Sequence, residues 1–295
     1  MNTPTDVVWR TIRRGGSRRA LGEASLVLAA VDIDHEIRRD IGDWYLVVAE
    51  SGAPRAVAHL ETYSLENRPQ LAGPTLVDPI DSGWIGVLGF LLVIWSLPSL
   101  EQAQVFGWDW RGIGRLEAGT VMAGEWWRTI TALTLHGDIA HLVGNSLFGA
   151  LFGLLVGRYL GSGLGWLLIL LSGALGNGLN AWLRPEDFRA IGASTATFAA
   201  LAIGSAFVWR RGYFRGRGWR RGLAPLFAAI AMLAFTGVGD EGTDVLAHFT
   251  GFACGIGAGI VAAQLPIERL GVSGQRLCGV GALVLICVAW MSAGG

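Results

Sequence analysis

The sequence predicts an all-α polytopic membrane protein, preceded by a small soluble α+β domain. Three observations carry that prediction. The 295 residues are 52% hydrophobic, and a mean hydropathy of +0.46 is too apolar for an ordinary soluble enzyme. Apolar segments recur at about 83–99, 140–157, 163–183, 194–209, 223–239, 243–263 and 277–293, near the length of about 17–25 residues that spans a bilayer as a helix. Glycine fills 44 positions, as close helix packing in lipid requires.

Other global features exclude classes. Formal net charge is zero, so no overall field points to nucleic acid. The basic residues are all Arg, which reads as genomic base composition rather than function. Cys254, Cys278 and Cys287 lie in or beside apolar stretches. Their odd number argues against a disulfide framework, and none has metal-ligand spacing, so neither a metal nor another cofactor is expected. The N-terminus is polar and Arg-bearing with no apolar run close behind it, so no cleavable signal peptide is expected.

In chain order, residues 1–68 read as the soluble domain. Leu21 to Ala30 suggests a short helix. Asp34 to Ile41 and Trp44 to Ala49 read as strands joined by Gly42-Asp43, a hairpin signal. Ala53 to Asn67 reads as an amphipathic helix with Ala56, Leu60, Tyr63 and Leu65 on one side. Residues 69–82 form a linker, with Pro69, Pro74 and Pro79 in it. Between the first and second apolar segments, about 100–139, lies a connector rich in Trp and Gly. That length points to a functional loop or an interfacial element.

Arginine placement sets the orientation. The loop after the fourth segment holds Arg210, Arg211, Arg215, Arg217, Arg220 and Arg221, and is assigned to the cytoplasm. Counting back, the N-terminal domain is cytoplasmic, and so are Arg158, Arg269 and Arg276. The second, fourth and sixth segments then enter from outside. That places His136 and His141, Ser194, and His248 at similar depth near the outer face.

A histidine within a span is costly in lipid and marks either function or interhelical hydrogen bonding. His141 and Asn145 are four apart and share a helix face. His136 and His141 have the spacing of two metal ligands, but no carboxylate or thiol cluster completes such a site. A serine needs a neighbouring base to become nucleophilic, and histidine is the usual one. Ser194 opens an apolar segment, where its backbone N–H and the helix dipole favour a developing oxyanion. The plain alternative is that Ser194 caps this helix. Asp244, four before His248, reads as a helix cap in preference to a triad acid. Gly192-Ala193-Ser194 differs from the soluble-hydrolase elbow, because Ala196 stands where the second glycine would be.

Together these residues resemble the rhomboid family of intramembrane serine proteases. The matching elements are Glu125-Trp126-Trp127-Arg128 in the connector and His136, His141 and Asn145 around the start of the second segment. Gly192-Ala193-Ser194 opens the fourth segment, and Ala247-His248, Gly251 and Gly255 lie on the sixth. The resemblance covers roughly 83–263. It implies a six-helix core over those residues, with residues 264–295 supplying a loop and an additional C-terminal span. It further implies a Ser194–His248 dyad, and an oxyanion hole of His141, Asn145 and the Ser194 N–H, supported by His136 and by room at Gly192. Phe198 would stack on His248. Gly251 and Gly255 would admit close packing of the sixth helix on the fourth, and Trp127 and Arg128 would anchor the connector in the membrane. Substrates would be single-pass transmembrane proteins, in what resembles a bacterial inner membrane. One departure stands out. Thr195 follows the serine where the family usually has Gly, which gives the alternative of a weakly active or inactive rhomboid-like protein that binds transmembrane helices.

Overall fold

The structure is a computed structural model, and it describes residues 7–67, 79–212, 223–236 and 243–295. The linker residues 69–78, Arg215, Arg217, Arg220, Arg221 and the Asp240-Glu241-Gly242 stretch lie outside the described residues. The chain divides into two compact units, Met1–Gly73 and Pro74–Gly295.

The first unit is a three-stranded antiparallel sheet with two helices. Strands β1 (Trp9–Gly15), β2 (His35–Asp40) and β3 (Asp43–Ala49) pair in the order β1-β3-β2. Helices α1 (Gly22–Ala30) and α2 (Ala53–Glu66) complete it. Leu46 and Val48 of the central strand meet Leu21, Ala24, Leu28, Ala53 and Ala56 in one apolar core. The sequence reading missed β1. Its register shifts between Thr11 and Arg13, so Trp9 and Ile12 fall three apart and the two-residue alternation that marks a strand is broken. The hairpin turn also sits one residue earlier than expected. Ile41 and Gly42 both take positive φ, and Asp40 pairs with Asp43, the pattern of a two-residue turn that matches strand twist. On α2, Ala56 is buried and Leu60 packs on the core, but Leu65 is exposed and leaves the expected face.

The second unit is helical. Its long helices are α3 (Trp84–Gln102), α7 (Ile139–Leu160), α8 (Ser162–Leu183), α9 (Ser194–Arg211), α10 (Ala224–Thr236), α11 (Val245–Ala262) and α12 (Gly271–Gly294). Between α3 and α7 lie the short helices α4 (Trp110–Gly114), α5 (Ala118–Met122) and α6 (Arg128–Thr131). Each expected apolar segment therefore carries a helix, and five are long and apolar enough to cross a membrane: α3, α7, α8, α11 and the stretch Ile267–Gly294 that contains α12. The chain is an integral membrane protein. Helix α10 is shorter, and α9 ends on Arg210 and Arg211 and carries two Ser and two Thr, so it does not stand out by hydropathy.

Helix α9 is the hub on which α7, α8, α10 and α11 all pack. Its closest neighbour is α11. A Cβ on Gly251, Gly255 or Gly259 would come to 2.2, 2.4 and 2.5 Å of the carbonyl oxygens of Thr195, Ala199 and Ile203. The two backbones touch along this seam because no side chain stands between them. The connector is ordered rather than a plain loop. A two-residue strand, β4 (Leu116–Glu117), pairs with β5 (Arg189–Ala190) just ahead of α9. Helix α12 begins six residues before the expected 277. Gln275 makes this possible by accepting from Leu164 N at 2.9 Å and donating to Leu160 O at 2.8 Å, so its polar end is satisfied within the bundle.

Candidate active site

Three helix beginnings supply the candidate residues. The Asp138 side chain caps α7 and accepts from the His141 N–H at 2.8 Å, which fixes the turn that presents His141. Asn145, one turn further on, is buried and donates to the His141 carbonyl at 3.1 Å. His136 precedes the helix, and its ring meets His141 edge to face at 5.2 Å. Neither His136 ring nitrogen has a hydrogen-bond partner among the described residues. Burial, assisted by the neighbouring His141, pushes the His136 pKa down to about 4. The Thr134 backbone pulls weakly the other way without a well-formed hydrogen bond. His136 is therefore neutral at ordinary pH.

The second beginning is that of α9. Gly192 has φ of 134°, and its N–H donates to the Ala132 carbonyl at 2.9 Å. A Cβ at Gly192 would stand 2.6 and 2.7 Å from Cε1 and Nε2 of His141. Both the positive φ and this contact demand glycine. The imidazole thus lies against the backbone two residues before Ser194. Ala193 holds the N-cap position and Ser194 is the first helical residue. The Ser194 hydroxyl is not a cap and makes no hydrogen bond among the described residues. Its N–H belongs to the first-turn donors that a helix leaves without internal partners.

The third beginning is that of α11. Asp244 caps it by accepting from Ala247 N at 3.2 Å, as the sequence reading expected. Its two oxygens also accept from Arg184 at 2.7 Å and from Asn180 at 2.5 Å, both on α8. The carboxylate therefore joins α11 to α8. His248 is one turn further in and buried. Its ring lies 4.5 Å, centroid to centroid, from that of Phe198, one turn after Ser194. The first turns of α9 and α11 are thus side by side.

Thr195 points away from this corner. It is 2% exposed, and its Cγ2 fills a notch where a Cβ on Gly176 or Gly251 would meet it at 2.9 or 2.8 Å. Its bulk is absorbed where α8, α9 and α11 cross. Arg128 is mostly buried. It pairs with Glu125 and donates to the carbonyls of Gly112 and Arg115 at 3.0 and 2.8 Å. Trp127 packs on the main core. The sequence reading missed the Asn180–Arg184–Asp244 clamp, and also missed Arg111, which donates to the His136 carbonyl at 3.0 Å. No local pattern announces either, because the partners are 25 to 64 residues apart.

The Rhomboid domain model matches residues 123–265, which include all three helix beginnings. Residues 123–265 carry a rhomboid-family domain. It is 29% identical over 183 residues to the Bacillus subtilis (strain 168) protein named putative rhomboid protease YdcA, covering 62% of this chain and 89% of that one. It is 31% identical over 180 residues to rhomboid protease GluP of the same organism, covering 60% of this chain and 34% of that one. Both matches leave more than a third of this chain outside the aligned region.

Proposed function

We propose that this chain is an intramembrane serine protease with Ser194 as nucleophile and His248 as base. The observation that carries the reading is the double contact around Ser194: His141 against Gly192 on one side, Phe198 against His248 on the other. Neutral His248 takes the hydroxyl proton as Ser194 Oγ attacks the scissile carbonyl of a transmembrane substrate. The Ser194 N–H, His141 and Asn145 donate to the oxyanion. Collapse breaks the C–N bond, and His248 returns its proton to the leaving amine. Water, deprotonated by the same imidazole, then hydrolyses the acyl-enzyme. In unliganded sites catalytic hydrogen bonds are often long and tighten only with substrate, which accounts for a Ser194 hydroxyl without a bond.

In this reading α3 and α7 through α11 form a six-span core over 83–263, and α12 is a further span. Residues 1–68 face the cytoplasm, and the site opens toward the outer face of a bacterial inner membrane. The helix-binding alternative rests on Thr195, and the packing of its Cγ2 against Gly176 and Gly251 favours the protease reading. The test is cleavage of a panel of single-pass reporters by wild type, Ser194→Ala and His248→Ala. Each variant is expected to lose on the order of 10⁴-fold or more in kcat. Cleavage that persists in Ser194→Ala contradicts the reading.

A further inference from the structure

The helix beyond the core ends against the segment that carries His136. Trp290, buried near the end of α12, donates from Nε1 to Thr134 Oγ1 at 3.2 Å. Thr134 donates in turn to the Thr131 carbonyl at 2.7 Å, and Thr131 to the Gly114 carbonyl at 2.6 Å. The indole packs on Trp110 with ring centroids 4.7 Å apart. It also lies over Gly114, where a Cβ would meet its Cη2 at 2.3 Å. A buried indole N–H needs a partner, and Thr134 is that partner.

The same apolar cluster holds Leu135, fully buried, and the partly buried Ile191. These residues flank both halves of the candidate site. Leu135 precedes His136, and Ile191 precedes Gly192, whose N–H is bonded to Ala132. The cluster to which Trp290 belongs thus packs against both the segment leading to His136 and the turn leading to Ser194.

We propose that Trp290 is a positioning residue for the oxyanion side of the site, acting through Thr134, so that α12 serves catalysis as well as anchoring. This rests on the protease reading above. Trp290→Phe keeps most of the packing and removes the donor, and Thr134→Val removes the acceptor. In the full-length protein Trp290→Phe is expected to lower kcat about five-fold with KM unchanged, the worth of one hydrogen bond, and Thr134→Val, which also loses its bond to the Thr131 carbonyl, by at least as much. The double variant falls no further than Thr134→Val. Exchange of the Gly192 amide speeds up in all three, while Leu277→Ala, exposed on the same helix, leaves both readouts at wild-type values. A lowered melting temperature with kcat and Gly192 exchange unchanged overturns the proposal, as do fully additive losses in the double variant. Should wild type cleave no reporter, the protease reading fails by itself and Gly192 exchange decides this linkage alone. Faster exchange in Trp290→Phe and Thr134→Val supports it, and unchanged exchange overturns it.

Discussion

One serine–histidine pair among the described residues, Ser25 and His35, can be set beside the proposed pair of Ser194 and His248, and the two differ in everything but composition. In the N-terminal unit Ser25 Oγ lies 2.7 Å from His35 Nε2, and His35 Nδ1 lies 2.8 Å from the Ile33 carbonyl. That carbonyl can only accept, so Nδ1 carries the proton and Nε2 faces the hydroxyl. This is the hydrogen bond expected of a nucleophile and its base. Yet Ser25 is the fourth residue of α1, past the free donors of the first turn. The pair fastens β2 to α1. Ser194 has the converse arrangement: no hydrogen bond of its own among the described residues, a helix N-terminus, a glycine at positive φ two residues before it, and imidazoles on both flanks. A hydroxyl–imidazole bond therefore marks neither site by itself. What separates the pairs is the set of donors around the hydroxyl.

The contrast can be broken by altering those surroundings, and the largest effect is expected from His141→Ala. Losing one oxyanion donor should lower kcat by about 10² to 10³ with KM nearly unchanged. The equivalent loss in the other pair, His35→Ala, should leave cleavage at wild-type values and lower only the stability of the N-terminal unit. A kinetic assay of both variants checks this. Next comes the seam between α9 and α11. In Gly255→Leu the new side chain must displace the Ala199 carbonyl, 2.4 Å from where its Cβ would stand. Shifting α11 by about 1 Å should cost roughly 100-fold in kcat. Cleavage at wild-type rate in that variant would mean that the seam does not set the distance between base and nucleophile.

The smallest effect concerns pH. His136 has its pKa lowered from 6.5 to about 4 in the folded protein. A depressed histidine contributes stability that is fully present above 6.5 and is lost as pH falls toward 4, by up to about 1.4 kcal/mol for each pH unit in that window. The melting temperature should fall across that window, and His136→Phe should flatten the decline. An equally steep decline in His136→Phe would assign it to other groups.

Much of this was readable from sequence, for physical reasons. Apolar runs of this length announce spanning helices because a helix satisfies its own backbone within lipid. The polar residues of α7, α9 and α11 stand out against those runs. Other features were not readable. The bulge in β1 hides its alternation, and β4 and β5 are two residues each, too short for any period. Where the Thr195 side chain points depends on Gly176, on another helix. The bracing of the His136 segment by Trp290 spans 156 residues of sequence. Contacts at such separations exist only once the bundle has formed.

The most direct measurement is fluorophosphonate labelling of the folded, full-length protein, with the adduct located by peptide mass spectrometry. The account predicts an adduct on Ser194, none on Ser25 despite its shorter path to an imidazole, and no adduct in His248→Ala. An unlabelled protein, an adduct on Ser25, or Ser194 labelling at the same rate without His248 would contradict it.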